Sequence, residues 1–258
     1  IVDPTQAGRT INFVQEGDFI AAINIERGAP VVNYNGMIDN TFDLLQDTVL
    51  DDGDATNDPD PIANLPFATV NVEGAAVRIV DTGPGTDINI FGMINNVAGT
   101  GIMIDNADGT FGGPLDSTIT FNSLTNITSS VNAAINVMNS DNSLIEFAND
   151  VNIVDAAEAG VLLTDNMNSD IRFRDLTITT PTNDALFNDG DPATVITTPM
   201  SGLLAFRNAG STLTVGGNSF IDVTGGPALV VSTPDGTTTT LDVNLSRVES
   251  TGSLAGGV

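Results

Sequence analysis

The chain has no cysteine, no histidine, no lysine and no tryptophan, and only one tyrosine, Tyr34, in 258 residues. Without cysteine there are neither disulfides nor thiolate ligands, which excludes disulfide-stapled scaffolds and zinc modules. Without histidine the chain lacks the one side chain that exchanges protons near neutral pH at its ordinary pKa. The near absence of tryptophan and tyrosine removes the usual amphipathic platforms for gripping a sugar ring. Seven arginines are the only basic side chains, and they face 27 aspartates and six glutamates, a net charge of -26. Such a field repels phosphate backbones and anionic lipid, so neither nucleic acid nor membrane binding is expected. No apolar run approaches the roughly 20 residues that cross a bilayer, and the residues from Ile1 onward are not expected to act as a basic-then-apolar leader.

What is present is repetition. The hydrophobic fraction is 41%, supplied by Val, Ile, Leu and Phe, which suit a pleated, half-buried surface. A cassette of two small residues followed by apolar-any-apolar recurs at Ala75-Ala76-Val77-Arg78-Ile79, Thr100 to Ile104, Ala133 to Val137, Ala159 to Leu163, Ser201 to Ala205 and Pro227 to Val231. Its first apolar residues, Val77, Ile102, Ile135, Val161, Leu203 and Leu229, follow one another at intervals of 25, 33, 26, 42 and 26 along the numbering. The intervals of 25 and 26 are the unit, and the longer gaps hold insertions or, where Leu186 falls one unit after Val161, a shortened extra turn. A unit of about 25 residues cannot bury a face alone, so neighbours must stack over one core.

Each anchor is followed by a second period-two stretch, Ile88/Ile90, Ile119/Phe121, Ile145/Phe147, Ile171/Phe173, Leu213/Val215 and Leu241/Val243. A third follows at Ile94, Leu124/Ile127, Val151/Ile153, Leu176/Ile178, Ile221/Val223 and Val248. Three short strands per unit with polar corners predict an all-β parallel β-helix, or β-solenoid. Phe121, Phe147 and Phe173 should stack as a core ladder, and the small pairs should mark tight corners. Four places past the anchors stand Asp81, Asn106, Asn139, Asp165, Arg207 and Thr233. Asn can bond along such a stack, whereas neighbouring Asp needs a cation or an intervening Asn.

Ala21-Ala22-Ile23-Asn24-Ile25 is a further copy, residues 32–40 echo 88–96, and Phe42/Leu44 would supply another anchor pair before Val70/Val72. The expectation is a single segment, 1–258, of about nine turns, with insertion loops near 46–68, 105–117 and 187–201. Thr10-Ile-Asn-Phe13 and Ser253-Leu254 match incomplete turns. They predict a window of a longer solenoid, or a subunit that stacks end to end, since unpaired strand edges recruit strands.

The Asn-Thr-Gly-rich turns, and runs such as Ala159 to Ile178, resemble the β-strand-repeat proteins of bacterial surfaces and the right-handed parallel β-helix passengers of autotransporter-type adhesins. The resemblance spans about residues 10–258 and lies in repeat style. It implies a right-handed helix in a secreted or cell-surface structural or adhesive protein, and transfers no functional residue.

The densest ligand-like cluster is Asp51, Asp52, Asp54, Asp58 and Asp60, with Asn57, around Gly53. Calcium takes six to eight oxygens from such loops. The spacing departs from the EF-hand and lacks its terminal Glu. Residues 188–191 and 105–109 are shorter versions that also suit ordinary turns. The rival enzyme class, a polysaccharide lyase or hydrolase on a β-helix, needs paired carboxylates or a basic group. Arg172 and Arg174 are the only clustered basic pair, and alternation in a strand places them on a solvated outer face. The sequons at Asn126 and Asn244 are frequent by chance in an Asn-rich chain. The expected function is thus non-enzymatic: an extracellular structural protein, adhesin or fibre, with other copies, neighbouring repeats or a surface ligand as partner. The alternative is a calcium-stabilised adhesion module that binds through the insertion loops.

Overall fold

The computed structural model describes residues 21–40, 75–96, 100–128, 130, 133–156, 159–179, 202–233 and 236–251. These form strands joined by turns, with no helix among the described residues. In chain order the strands fall into seven repeats. The first holds β1 (Ile23–Gly28), β2 (Val31–Tyr34) and β3 (Ile38–Asn40); the second β4 (Ala75–Thr82), β5 (Asp87–Ile90) and β6 (Ile94–Asn96); the third β7 (Thr100–Ala107), β8 (Ser117–Phe121) and β9 (Thr125–Ile127). From the fourth onward the second and third strands merge: β10 (Ile135–Met138) and β11 (Ser143–Val154), β12 (Val161–Thr164) and β13 (Asp170–Thr179), β14 (Leu203–Phe206) and β15 (Thr212–Thr224), β16 (Leu229–Ser232) and β17 (Thr240–Thr251).

The cassette strands make one parallel sheet in the order β1-β4-β7-β10-β12-β14-β16. The remaining strands make a second, in which β3, β6 and β9 continue the row formed by the later halves of the merged strands. The anchors pair one to one: Ile23 with Val77, Val77 with Ile102, Ile102 with Ile135, Ile135 with Val161, Val161 with Leu203 and Leu203 with Leu229. The second-strand pairs also stack in the expected register, as do 32–40 on 88–96. One apolar core is lined from both sheets, including Val77, Ile102, Val161, Ile88, Ile145 and Ile178. Phe121, Phe147 and Phe173 stack in it with ring centroids 4.7 Å apart and planes within 7°.

Three expectations change. The described ladder has seven repeats, not nine, because β4 pairs directly with β1 and β14 directly with β12. The rungs expected at Phe42/Leu44 and at Leu186, with Thr10 to Phe13, Val70/Val72 and Ser253-Leu254, lie outside the described residues. A sequence interval of one unit is thus insufficient to mark a rung, because an insertion can have any length. The 105–117 insertion is shorter than expected, since β7 runs to Ala107 and β8 begins at Ser117. In the third row the side chain paired with Ile94 and Val151 is Thr125, not Leu124; Thr125 is fully buried, and its hydroxyl has no hydrogen-bond partner.

The small pairs have the predicted cause. A Cβ on Gly101 would stand 2.4 Å from Ile127 Cδ1 and 2.6 Å from the Ala134 carbonyl oxygen. On Gly202, where φ is +83°, it would stand 2.0 Å from the Ala228 oxygen. The chain turns toward the second sheet four places past the anchor, where Arg27, Asp81, Asn106, Asn139, Asp165 and Arg207 all have φ between 50 and 67°. Asn and Asp tolerate this left-handed region better than other side chains, which is why the position is rich in them.

Candidate functional site

The same corner that needs left-handed residues carries most of the polar chemistry, arranged as an outer and an inner row. In the outer row Asn106 Nδ2 donates to Asp81 (2.9 Å), Asn139 Nδ2 donates to Asp105 (3.0 Å), and Arg207 pairs with Asp165. Asparagine and arginine between aspartates thus relieve the repulsion expected of stacked carboxylates. The hydrogen bond from Arg207 holds the exposed Asp165 carboxyl below its usual range and raises the guanidinium in return. Farther along the same corner, Asp108 accepts from the Asp141 N-H and Asp141 from the Met167 N-H, each at 2.8 Å. Partial burial raises the Asp108 pKa, with Asp141 and Asp105 adding repulsion.

The inner row was not legible as such. Five places past the anchor, Ser140, Asn166 and Asn208 are buried one above the other. The Ser140 N-H donates to Asn166 Oδ1 (3.0 Å), Asn166 Nδ2 to the Val137 carbonyl (3.0 Å) and to Asn208 Oδ1 (2.9 Å), and Asn208 Nδ2 to the Leu163 carbonyl (3.0 Å). Eight places past the anchor, Ser143, Ser169 and Ser211 form a second buried stack, in which the Ser143 and Ser169 N-H groups donate to the next hydroxyl at 3.2 and 3.0 Å. Between the rows, Asn142, Asn168 and Gly210 are left-handed. A buried corner cannot leave its backbone groups unpaired, and these side chains supply the partners. The sequence signal is Ser/Asn, any, Asn/Gly, Ser at 140–143, 166–169 and 208–211.

Of the sequence-derived sites, Asp51, Asp52, Asp54, Asp58 and Asp60 lie outside the described residues, as do the 46–68 and 187–201 loops. Asp105, Asn106 and Asp108 spend their side chains on the outer row, and among the described residues no three acidic side chains gather as a metal site would require. Arg172 and Arg174 are exposed and alternate with the buried Ile171 and Phe173, Arg172 bonded to Asp170 and Arg174 beside Asp175. Asn126 is half-buried and accepts a bond from Asn152, whereas Asn244 is exposed on β17.

The 108–116 loop is the most exposed apolar feature among the described residues. Thr110 donates through its N-H and hydroxyl to Asp116 (2.6 and 2.5 Å), which lowers that carboxyl's pKa. Gly113 N-H closes a turn on the Thr110 carbonyl, and Gly109 N-H is fixed to Asp141 O. Phe111, at the tip, is 86% exposed. No protein-family model matches this chain, and neither does a curated protein or a solved structure.

Proposed function

We propose that the chain is a right-handed parallel β-helix serving as a structural module of an extracellular or cell-surface protein, in surface assembly or adhesion. Parallel strands joined through a crossover are nearly always right-handed, and every cassette strand reaches the next through strands of the second sheet. One observation supports the functional part: among the described residues the cassette strands pair in register through all seven repeats, and Asp81, Asp105 and Asp165 accept bonds from neighbouring rungs. The described residues go into a continuous ladder of parallel strands. At six strand spacings of roughly 4.8 Å, the described ladder is about 29 Å long.

A second reading, adhesion through an insertion loop, is favoured by Phe111 on its pinned turn, since rigidly held aromatics are effective contact anchors. Light scattering and electron microscopy over a concentration series test the assembly reading. Defined oligomers support it, and a strict monomer at high concentration contradicts it.

A further inference from the structure

Three of the eight large apolar side chains exposed among the described residues share one corner: Phe111 (86%), Leu115 (38%) and Met167 (41%). Asp108, Asp141 and Met167 stand at the same place in the third, fourth and fifth repeats, each six positions past its anchor. Asp108 accepts from the Asp141 N-H as Asp141 does from the Met167 N-H. Met167 thus lies two rungs, about 10 Å, from the root of the loop that carries Phe111 and Leu115. That root is held tightly: a Cβ on Gly109 would stand 2.0 Å from the Asn142 oxygen, and Thr110 is tied to Asp116 through its N-H and hydroxyl. A side chain presented on a pinned turn gives up little freedom on contact.

The corner is also negative and short of cations. Asp105, Asp108 and Asp141 accept their hydrogen bonds at Oδ1, and none of the ion pairs among the described residues reaches them. The Asp108 carboxyl is raised first by burial and then by repulsion from Asp141 and Asp105, so a positive group beside the three is favoured. A second copy of the chain is a poor source of that group. It has no lysine, and five of its seven arginines, Arg78, Arg172, Arg174, Arg207 and Arg247, pair with carboxylates of their own chain. We propose that this corner docks a basic, amphipathic segment of another protein, whose apolar side chains cover Phe111, Leu115 and Met167 while its Arg or Lys groups meet Asp105, Asp108 and Asp141. The proposal rests on the reading of adhesion through an insertion loop and names the class of its partner. Arginine suits the corner twice, through the carboxylates and through the face of Phe111.

Three short synthetic peptides test it on the full chain, one alternating Arg with Leu, one Arg with Ser and one Glu with Leu. Fluorescence anisotropy at about 0.15 M salt should show the Arg-Leu peptide bound about tenfold more tightly than either of the others. Phe111→Ser or Met167→Ser removes that advantage and leaves the Arg-Ser affinity unchanged; both side chains are exposed, so the circular dichroism spectrum stays that of the parent. Asp105→Asn/Asp141→Asn weakens Arg-Leu binding, whereas Asp87→Asn/Asp242→Asn, an equal change of charge on the second sheet, does not. Binding that depends on Phe111 but is equal for the Arg-Leu and Glu-Leu peptides overturns the basic partner while leaving adhesion through the loop standing. Equal binding of Arg-Leu and Arg-Ser that ignores Phe111→Ser is attraction to the net charge alone and overturns both. No binding by any of the three overturns the basic partner.

Discussion

Replacing Asn166 with leucine removes a fully buried amide that serves several groups at one corner. Its Oδ1 receives the Ser140 N-H, and its Nδ2 reaches the Val137 carbonyl and Asn208 Oδ1. Leucine is similar in size, so the cost comes from polarity rather than a cavity. An orphaned buried N-H costs about 1–3 kcal/mol, and each net hydrogen bond lost costs about 1 kcal/mol. The sum is about 3–5 kcal/mol, a large fraction of the stability of an ordinary domain. Urea unfolding followed by far-ultraviolet circular dichroism reads this as a lower midpoint. Because stacked repeats can unfold in parts, hydrogen exchange at Ser140 provides a local readout that should rise with the substitution. An Asn166→Leu protein within about 1 kcal/mol of the parent, with Ser140 still protected, would refute the idea that the inner polar row holds the corner together.

Gly101→Ala drives a methyl into Ile127 and the Ala134 carbonyl and should lower stability by about 1–3 kcal/mol in the same assay; a neutral result would show that the small pair has no steric role. Phe147 stacks on two rings and Phe121 on one, so Phe147→Leu should cost about 1 kcal/mol more than Phe121→Leu, and equal costs would argue against the ladder. Asp108 has its pKa raised chiefly by burial, so its stabilising contribution is complete below the unfolded pKa and is lost as pH rises through the folded one. Asp108→Asn keeps the acceptor for the Asp141 N-H and should raise the unfolding midpoint at pH 7 but not below about pH 3; the reverse pH dependence would contradict the assignment.

Much of the architecture was legible because the side-chain period is two and the repeat is short. Val77, Ile102, Ile135, Val161, Leu203 and Leu229 could be found by spacing alone, and each pairs with the next. The Phe121-Phe147-Phe173 column followed from the same logic. What spacing could not give was the number of rungs, since the long interval from Val161 to Leu203 reads equally as one repeat with an insertion or as two. Thr125 took the core position of Leu124 because β-branched threonine fits an inward strand site, and alternation through Ile127 fixes which face it occupies. The Asn and Asp of the corners were visible, but their role in permitting positive φ depends on the backbone path. The inner Ser and Asn rows were hidden because hydrophilic residues between apolar strands ordinarily mark solvent-facing turns, and only the stacked geometry turns them inward. Phe111 lies in an insertion outside the period-two stretches, so nothing in its sequence position distinguishes it from the core phenylalanines.

The distance between spin labels at Glu26 and Ser232 tests the central claim, the direct stacking of seven repeats. Both side chains are exposed, and they belong to one column running through Val80, Asp105, Met138, Thr164 and Phe206. The chain has no native thiol to remove, so Glu26→Cys/Ser232→Cys can be labelled directly and measured by double electron-electron resonance. Six spacings predict a narrow distribution near about 29 Å. A peak near about 38 Å, the length of eight spacings, would restore the two additional rungs, and a broad distribution without a peak would contradict the continuous ladder itself.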